Sequence, residues 1–204
     1  IFIPSITGDC FMQRPFWKAK KEELNLLQKT FIDVINASSK LDIKYLILPL
    51  VDNGSIKNKN QEEILISFLL ENKSFIKNSN LNILFESDFN PKNLKSFIKK
   101  LPSDLFGINY DTGNSAAYGY NPDEEFYYYG EYIKNVHIKD RKKNGSTLPL
   151  KEGDVDFKKV FKNLKKMSYE GNFILQTARD ENNKHAEVIS IYRDFTLNYI
   201  DSYL

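Results

Sequence analysis

Short apolar runs alternate with longer segments of helical spacing along the chain, and this alternation strongly constrains the fold. One run, YLILPLV at residues 45–51, is continuously apolar, as is typical of strands buried on both faces of a parallel sheet. Six strand–helix units in 204 residues average 34 residues each, about the size of a βα unit. The pattern therefore predicts an α/β fold with a parallel sheet, either an open doubly wound sheet or a barrel. The predicted strands are Ile1–Ile6, Tyr45–Val51, Asn82–Glu86, Leu105–Tyr110, Lys134–Ile138 and Asn172–Gln176.

The segments between these strands carry the signals of helices. Leu27, Phe31 and Ile35 belong to an apolar stripe with helical spacing. The run Asn121–Glu124 supplies an N-cap residue, a proline at the first helical position and an acid three residues after the cap. These signals predict that helices connect the strands.

Composition excludes several classes of protein. The chain is 41% hydrophobic and 27% charged, which is typical of a globular fold, and no apolar run approaches the roughly 18 residues of a membrane span. A single cysteine cannot form an internal disulfide, so we expect a reducing compartment, the cytoplasm. Since 29 basic residues face 27 acidic ones, the net charge of +2 gives no general attraction to nucleic acid.

Polar residues follow the predicted strands at their carboxyl ends, where parallel α/β folds collect functional groups. An acid at one strand end is commonly just a helix N-cap, but six polar ends in register would converge on one pocket if the sheet closes. The residues in question are Asp9, Asp52-Asn53, Glu86-Ser87-Asp88, Asp111–Asn114, His137–Arg141 and Gln176–Arg179.

Four of these strand ends offer the donors of a divalent metal site. Glu86 and Asp111 supply carboxylates, His137 an imidazole and Gln176 an amide oxygen. Such an oxygen-rich set suits Mn²⁺, Mg²⁺ or Co²⁺, with Zn²⁺ also compatible. His137 taken alone is equally well explained as a hydrogen-bonded histidine of the core.

The central part of the sequence resembles the sugar phosphate isomerase/epimerase family, which has the xylose-isomerase-like TIM barrel. The shared motifs are DTGN at residues 111–114, HIKDR at residues 137–141 and a turn leading into VDF at residues 155–157. Upstream, YLILPLVD and ILFESD resemble two consecutive strands of the family, and downstream YEGNFILQTAR resembles the last barrel strand. The motifs occur in the family's order over nearly the whole chain.

The resemblance implies a TIM-type (β/α) barrel whose metal ligands correspond to Glu86, Asp111 and His137, with Gln176 in the fourth position, where the family has Glu. It also implies an isomerase or epimerase of a sugar or sugar phosphate that works by proton transfer through a metal-stabilised enediolate. Glu86 would be the base. Because Gln cannot accept a proton, the second acid–base group of the family is missing here. Either a single base carries an isomerisation, or Lys139 or Asp140 is the second group.

Further strand-end residues are candidates for binding the substrate. Asn114 and Asp52 could hydrogen-bond hydroxyl groups, and Arg141 and Arg179 could hold a phosphate or carboxylate. A dehydratase acting on a polyol or cyclic acid is a close alternative within the superfamily. The alternative from another class is a non-catalytic sugar-binding remnant or inactive barrel fragment, which the glutamine at position 176 favours.

The resemblance also bears on domain organisation and partners. We expect residues 1–204 to form one barrel domain, incomplete, with about six βα units that correspond to the third to eighth of a barrel of eight. The first two units would then precede Ile1. Members of this family are often dimers or tetramers, so a homo-oligomer is a candidate state. Endonuclease IV shares the barrel but needs a histidine-rich zinc site, which a chain with two histidines cannot build.

Overall fold

Strands alternate with helices throughout residues 2–204, which the computed structural model describes. The α/β class predicted from the sequence is therefore confirmed. The strands are β1 (Ser5–Thr7), β2 (Tyr45–Leu50), β3 (Asn82–Ser87), β4 (Phe106–Asp111), β5 (Ile133–Ile138), β6 (Asp140–Arg141), β7 (Thr147–Leu148) and β8 (Asn172–Leu175).

Helices occupy the connections between the strands. The α-helices are α1 (Asp9–Gln13), α2 (Lys21–Lys40), α3 (Lys59–Glu71), α4 (Lys73–Asn78), α5 (Pro91–Ile98), α6 (Thr112–Tyr118), α7 (Pro122–Tyr129), α8 (Phe157–Lys166) and α9 (His185–Tyr203). Short 3₁₀ turns occur at Phe16–Lys18, Asp52–Gly54 and Gly130–Tyr132. Within residues 2–204, no helix combines the length and the apolar character needed to cross a membrane.

The first strand is shorter than predicted. Ile1 lies outside the described residues, and β1 comprises Ser5–Thr7 rather than Ile1–Ile6. Phe2 and Ile3 are 68% and 53% exposed, so their apolar character does not mark a buried strand. Pro4 has no N–H to donate to a ladder. Its carbonyl accepts hydrogen bonds from the backbone of Lys44 and Tyr45, just ahead of β1.

The structure divides into two compact units, and the boundary passes through β4. The first unit comprises residues up to Phe89 together with Ser96–Ile108, and it contains β1, β2, β3 and the start of β4 in that order. All neighbouring strands in it are parallel, with Tyr45 opposite Asn82 and Phe85 opposite Ile108.

An aromatic cluster fills the space between the helices of the first unit. The rings of Phe16, Phe31 and Phe68 lie 4.8–5.7 Å apart between centroids, mostly edge to face. Trp17 packs on Phe16 and donates its indole N–H to the carbonyl of Gly54 at 3.0 Å. Each fully buried aromatic side chain contributes roughly 1.5–3 kcal/mol, so this cluster stabilises the helical layer that supports β2 and β3.

The second unit comprises Asn90–Lys95 and Asn109–Leu204, and it contains the end of β4, followed by β5 and β8 in sheet order. Strands β5 and β8 are parallel, with His137 opposite Ile174. Strands β6 and β7 form a small antiparallel hairpin that was not predicted, because two-residue strands are too short to produce a pattern.

Helix starts in the second unit follow the sequence signals. Asn121 caps α7 by accepting a hydrogen bond from the backbone of Asp123, and Pro122 occupies the first helical position, as predicted. Asp111 caps α6 in the same way, and that helix ends at Gly119, whose φ of 73° lies in the left-handed region. The carboxyl end of β4 therefore runs directly into a helix N-terminus.

Candidate functional site

The carboxylate of Asp111 is the centre of a buried polar cluster at the ends of β4 and β5. Asp111 is 4% exposed, and its Oδ1 accepts the backbone N–H of Asn114 at 2.8 Å. Its Oδ2 lies 3.9 Å from Nδ1 of His137 and 3.5 Å from Nζ of Lys139. Oδ1 therefore caps the N-terminus of α6, while Oδ2 lies near the imidazole of His137 and the ammonium of Lys139.

His137 belongs to β5 and Lys139 directly follows that strand, and the side chains of both reach toward Oδ2 of Asp111. His137 is 2% exposed. The backbone of Lys139 is fixed by Thr112, whose hydroxyl donates to the lysine carbonyl at 2.6 Å and accepts the lysine N–H at 3.0 Å. Gly113 lies directly against the side chain of Lys139, where a β-carbon would come within 2.7 Å of its Cγ.

Gln176 follows β8 and contacts the same lysine. Its backbone N–H donates to the carbonyl of Ile138 at 3.0 Å, which extends the β5–β8 ladder by one bond. Its Oε1 accepts a hydrogen bond from Nζ of Lys139 at 3.0 Å. The structure therefore brings together Asp111, His137, Lys139 and Gln176 within the second unit.

Glu86 belongs to the first unit, where it is the penultimate residue of β3. It is 7% exposed, and Pro49 of β2 is its neighbour in the parallel register. The Glu86 carboxylate, like the Asp111 carboxylate and the His137 imidazole of the second unit, is buried and is a ligand type that divalent cations such as Mn²⁺, Mg²⁺ or Zn²⁺ accept.

Asp140, a candidate acid–base group, has its carboxylate engaged with a loop. Oδ2 accepts the backbone N–H groups of Lys151 and Gly153 at 2.9 and 3.1 Å, and Oδ1 accepts that of Val155 at 3.2 Å. The side chain is 1% exposed. The Asp140 carboxylate therefore anchors the loop that leads into α8.

Arg141 and Asn114, two candidate substrate contacts, contact each other. The guanidinium donates from Nη1 to Oδ1 of Asn114 at 2.7 Å. It also donates from Nε and Nη2 to the carbonyl of Gly145, at 3.0 and 2.7 Å, inside the turn of the β6–β7 hairpin. Because Asn114 also donates its backbone N–H to Asp111, the hydrogen-bonded pair adjoins the buried cluster.

The other two candidate substrate contacts lie further out. Asp52 is exposed in a 3₁₀ turn of the first unit, with a φ of 51°. Arg179 is exposed in the segment between β8 and α9. There it lines a cavity of about 490 Å³ together with Gln176 and His185.

A buried cluster around Glu125 adjoins the site and was not predicted. The Glu125 carboxylate accepts hydrogen bonds from the hydroxyls of Tyr110 at 2.9 Å, Tyr129 at 2.6 Å and Ser115. Burial raises the pKa of Glu125, and the three hydrogen bonds oppose that rise. Burial and the neighbouring Glu125 charge also raise the pKa of Tyr110 and Tyr129 well above the ordinary tyrosine value. The cluster ties α6 and α7 to the residue that precedes Asp111.

Solved structures of other proteins share this fold. The IolI protein with a bound zinc atom has a TM-score of 0.77 at 17% identity, over 92% of this chain and 73% of that one. A xylose isomerase-like TIM barrel protein from Mycobacterium smegmatis in complex with magnesium has a TM-score of 0.74 at 16% identity, covering 99% and 74%. An L-ribulose 3-epimerase has a TM-score of 0.72 at 16% identity, covering 92% and 71%. At such low identity these likenesses establish the fold alone.

Comparison of sequences identifies the family. No curated protein matches the chain in sequence. The sequence profile of one family, described as xylose isomerase-like TIM barrel, matches residues 3–194, almost the entire chain. Together with the parallel strand order and the fold of the similar structures, this match confirms the predicted barrel type, of which the described residues contain six βα units. The chain belongs to the xylose isomerase-like TIM barrel family.

Proposed function

We propose that this chain is a metal-dependent isomerase or epimerase of a sugar or sugar phosphate. The observation that carries the proposal is the buried cluster of Asp111, His137 and Lys139 at neighbouring strand ends. Parallel α/β barrels place their active sites at this edge of the sheet. L-ribulose 3-epimerase, which has the same fold, acts on a sugar by its name.

Glu86, Asp111 and His137 are the proposed metal ligands. The support for including Glu86 is its burial near the carboxyl end of β3, where the family resemblance expects a ligand. When bound, a divalent cation supplies Lewis-acid stabilisation of adjacent substrate oxygens and orients them.

The protein's own groups move the proton. Glu86 is the proposed base that removes a proton from the carbon next to the substrate carbonyl. The ammonium of Lys139 is the proposed partner that stabilises negative charge on the substrate oxygen. As the second acid–base group, Lys139 is favoured over Asp140 because the Asp140 carboxylate already accepts three backbone hydrogen bonds.

The remaining polar residues are proposed to bind the substrate. Asn114 and Arg141 are the proposed contacts for hydroxyl or phosphate oxygens, since they form one hydrogen-bonded pair and Asn114 adjoins Asp111 in the first turn of α6. Arg179, in the cavity next to Gln176, suits an anionic end of a substrate. Asp52 is retained as a candidate hydroxyl contact at the end of β2.

A second function, sugar binding without turnover, is favoured by one observation. The Lys139 ammonium lies 3.5 Å from Asp111, so it neutralises part of the charge that would attract a cation. A site that used lysine in place of a metal would bind polyols through hydrogen bonds and would not exchange their protons.

Exchange of substrate hydrogen with solvent distinguishes the two functions. Protein loaded with Mn²⁺ is incubated in deuterated water with a panel of ketoses, aldoses and their phosphates, and deuterium at carbon is measured by mass spectrometry. The isomerase proposal expects incorporation by the wild type and a loss of about 10³-fold in Glu86→Gln, since general-base groups contribute roughly 10²–10⁴-fold. Glu63→Gln is the matched control, since Glu63 is an exposed residue of α3 that pairs with Lys59. Incorporation at the wild-type rate in Glu86→Gln would remove this residue from the mechanism.

A further inference from the structure

The ammonium of Lys139 lies between two oxygens that the family pattern would assign to a metal. Its Nζ is 3.0 Å from Oε1 of Gln176 and 3.5 Å from Oδ2 of Asp111. The side chain is only 15% exposed, so this contact is largely shielded from solvent. A positive charge is therefore already held beside the fourth ligand position.

We infer that Gln176 is a positioning residue for Lys139 and that the metal is held by three protein ligands, Glu86, Asp111 and His137. The inference rests on the proposed function, and it replaces the expectation that Gln176 is the fourth ligand. In this arrangement the amide oxygen of Gln176 accepts the lysine hydrogen bond and keeps the ammonium directed toward the substrate.

The surroundings of Lys139 are built to keep it in this place. The hydroxyl of Thr112 holds both its backbone N–H and its backbone carbonyl. Gly113 leaves room for the aliphatic part of the side chain, which a larger residue would push aside. The backbone hydrogen bond from Gln176 to Ile138 fixes the acceptor next to the donor. Three neighbouring residues thus restrain one side chain.

Charge explains why glutamine suits this role better than glutamate. A carboxylate at position 176 would attract both the lysine and the dication, and it would hold the two positive charges close together. A neutral amide binds the ammonium through one hydrogen bond and attracts a dication less strongly than a carboxylate does, since it carries no charge. With Gln176 the loaded site keeps one more positive charge than the glutamate pattern would give. That charge favours a substrate oxygen on which negative charge develops.

A double-mutant cycle on metal affinity tests the assignment. Mn²⁺ is titrated calorimetrically into the wild type, Gln176→Ala, Lys139→Met and the double variant, with Lys158→Met on the exposed face of α8 as the control lysine. If Gln176 acts only through Lys139, adding Gln176→Ala to Lys139→Met changes the Kd by less than about twofold, the usual scatter for independent sites. A loss of about tenfold or more in both backgrounds would make Gln176 a ligand and overturn the inference.

A measurement without metal tests the positioning itself. In the metal-free protein, a buried and hydrogen-bonded lysine ammonium gives a ¹H–¹⁵N signal that exchanges slowly with water. We expect the Lys139 signal to disappear in Gln176→Met, which keeps the volume but lacks the acceptor, and to persist in Gln176→Glu. Persistence of the signal in Gln176→Met would overturn the inference. Absence of Mn²⁺, Mg²⁺ and Zn²⁺ binding by the wild type would instead refute the proposed metal centre, and the three-ligand assignment would fall with it.

Discussion

The guanidinium of Arg141 donates to the side-chain oxygen of Asn114 at 2.7 Å, and Asn114 donates its backbone N–H to Asp111. The same guanidinium holds the carbonyl of Gly145 with two further hydrogen bonds. Arg141 therefore links the β6–β7 hairpin to the first turn of α6. Asn114 connects this link to the Asp111 carboxylate.

Replacing Arg141 by lysine should loosen the hairpin while keeping its charge. A lysine cannot reproduce the planar fork that reaches both Gly145 and Asn114. We expect the free energy of unfolding to fall by about 1.5–3 kcal/mol, the range for hydrogen bonds to a charged group, and amide hydrogen exchange at residues 142–146 to accelerate. Arg193→Lys is the control, since Arg193 is exposed and pairs with its neighbour Asp194. Equal changes in the free energy of unfolding for the two substitutions would show that the planar guanidinium of Arg141 does not contribute to stability.

A methyl group at Gly113 should displace Lys139. The new β-carbon would lie 2.7 Å from Cγ and 3.0 Å from Cβ of the lysine, too close for either atom to remain in place. We expect Gly113→Ala to reduce turnover and to lower the stability by about 1–3 kcal/mol, as overpacking does.

Gly130→Ala provides the matched control for this substitution. Its β-carbon would come no closer than 3.4 Å to Met167, and its φ of −52° suits any residue. The alanine there should be neutral or stabilise by about 0.4–1 kcal/mol. Denaturant unfolding and turnover of both variants are measured together. Unaltered turnover in Gly113→Ala would show that the position of Lys139 does not influence the reaction.

The strands could be predicted from the sequence because their apolar runs are continuous. Strand β2, predicted as Tyr45–Val51, comprises Tyr45–Leu50, and β3 differs from its prediction by one residue. The helix start at Asn121 was also predictable, since its signals are local. Glu86, Asp111 and His137 could be selected because strand ends and the family motifs mark them.

The contacts between side chains could not be predicted, since each depends on elements distant in the sequence. Lys139 and Gln176 are 37 residues apart, and only the β5–β8 pairing brings them together. The hydroxyls around Glu125 come from β4, α6 and α7, and no spacing marks such a cluster. Asp140 resembles a catalytic acid in sequence, but the loop that follows engages its oxygens.

Substitution of Asp140 by asparagine should release the loop that precedes α8. Asparagine retains one acceptor oxygen, so at least one of the backbone N–H groups of Lys151, Gly153 and Val155 loses its partner. We expect a loss of stability of about 1–3 kcal/mol and faster proteolysis within residues 149–155. Asp154→Asn is the control, since that side chain accepts a single backbone N–H, from Lys143. Resistance of Asp140→Asn to the protease would contradict the anchoring role.

The buried carboxyl of Glu125 should make the stability depend on pH. Burial raises its pKa in the folded protein above the ordinary value of 4.5, so the folded state binds a proton that the unfolded chain has already lost. The free energy of unfolding therefore falls as the pH rises from the ordinary value through the raised one, and it levels off above. Glu125→Gln removes this titration, so its stability relative to the wild type should improve with pH over the same interval. Urea unfolding across a pH series measures the difference, with Glu170→Gln, exposed between α8 and β8, as the reference. A constant difference between Glu125→Gln and this reference at every pH would show that Glu125 titrates alike in the folded and unfolded states.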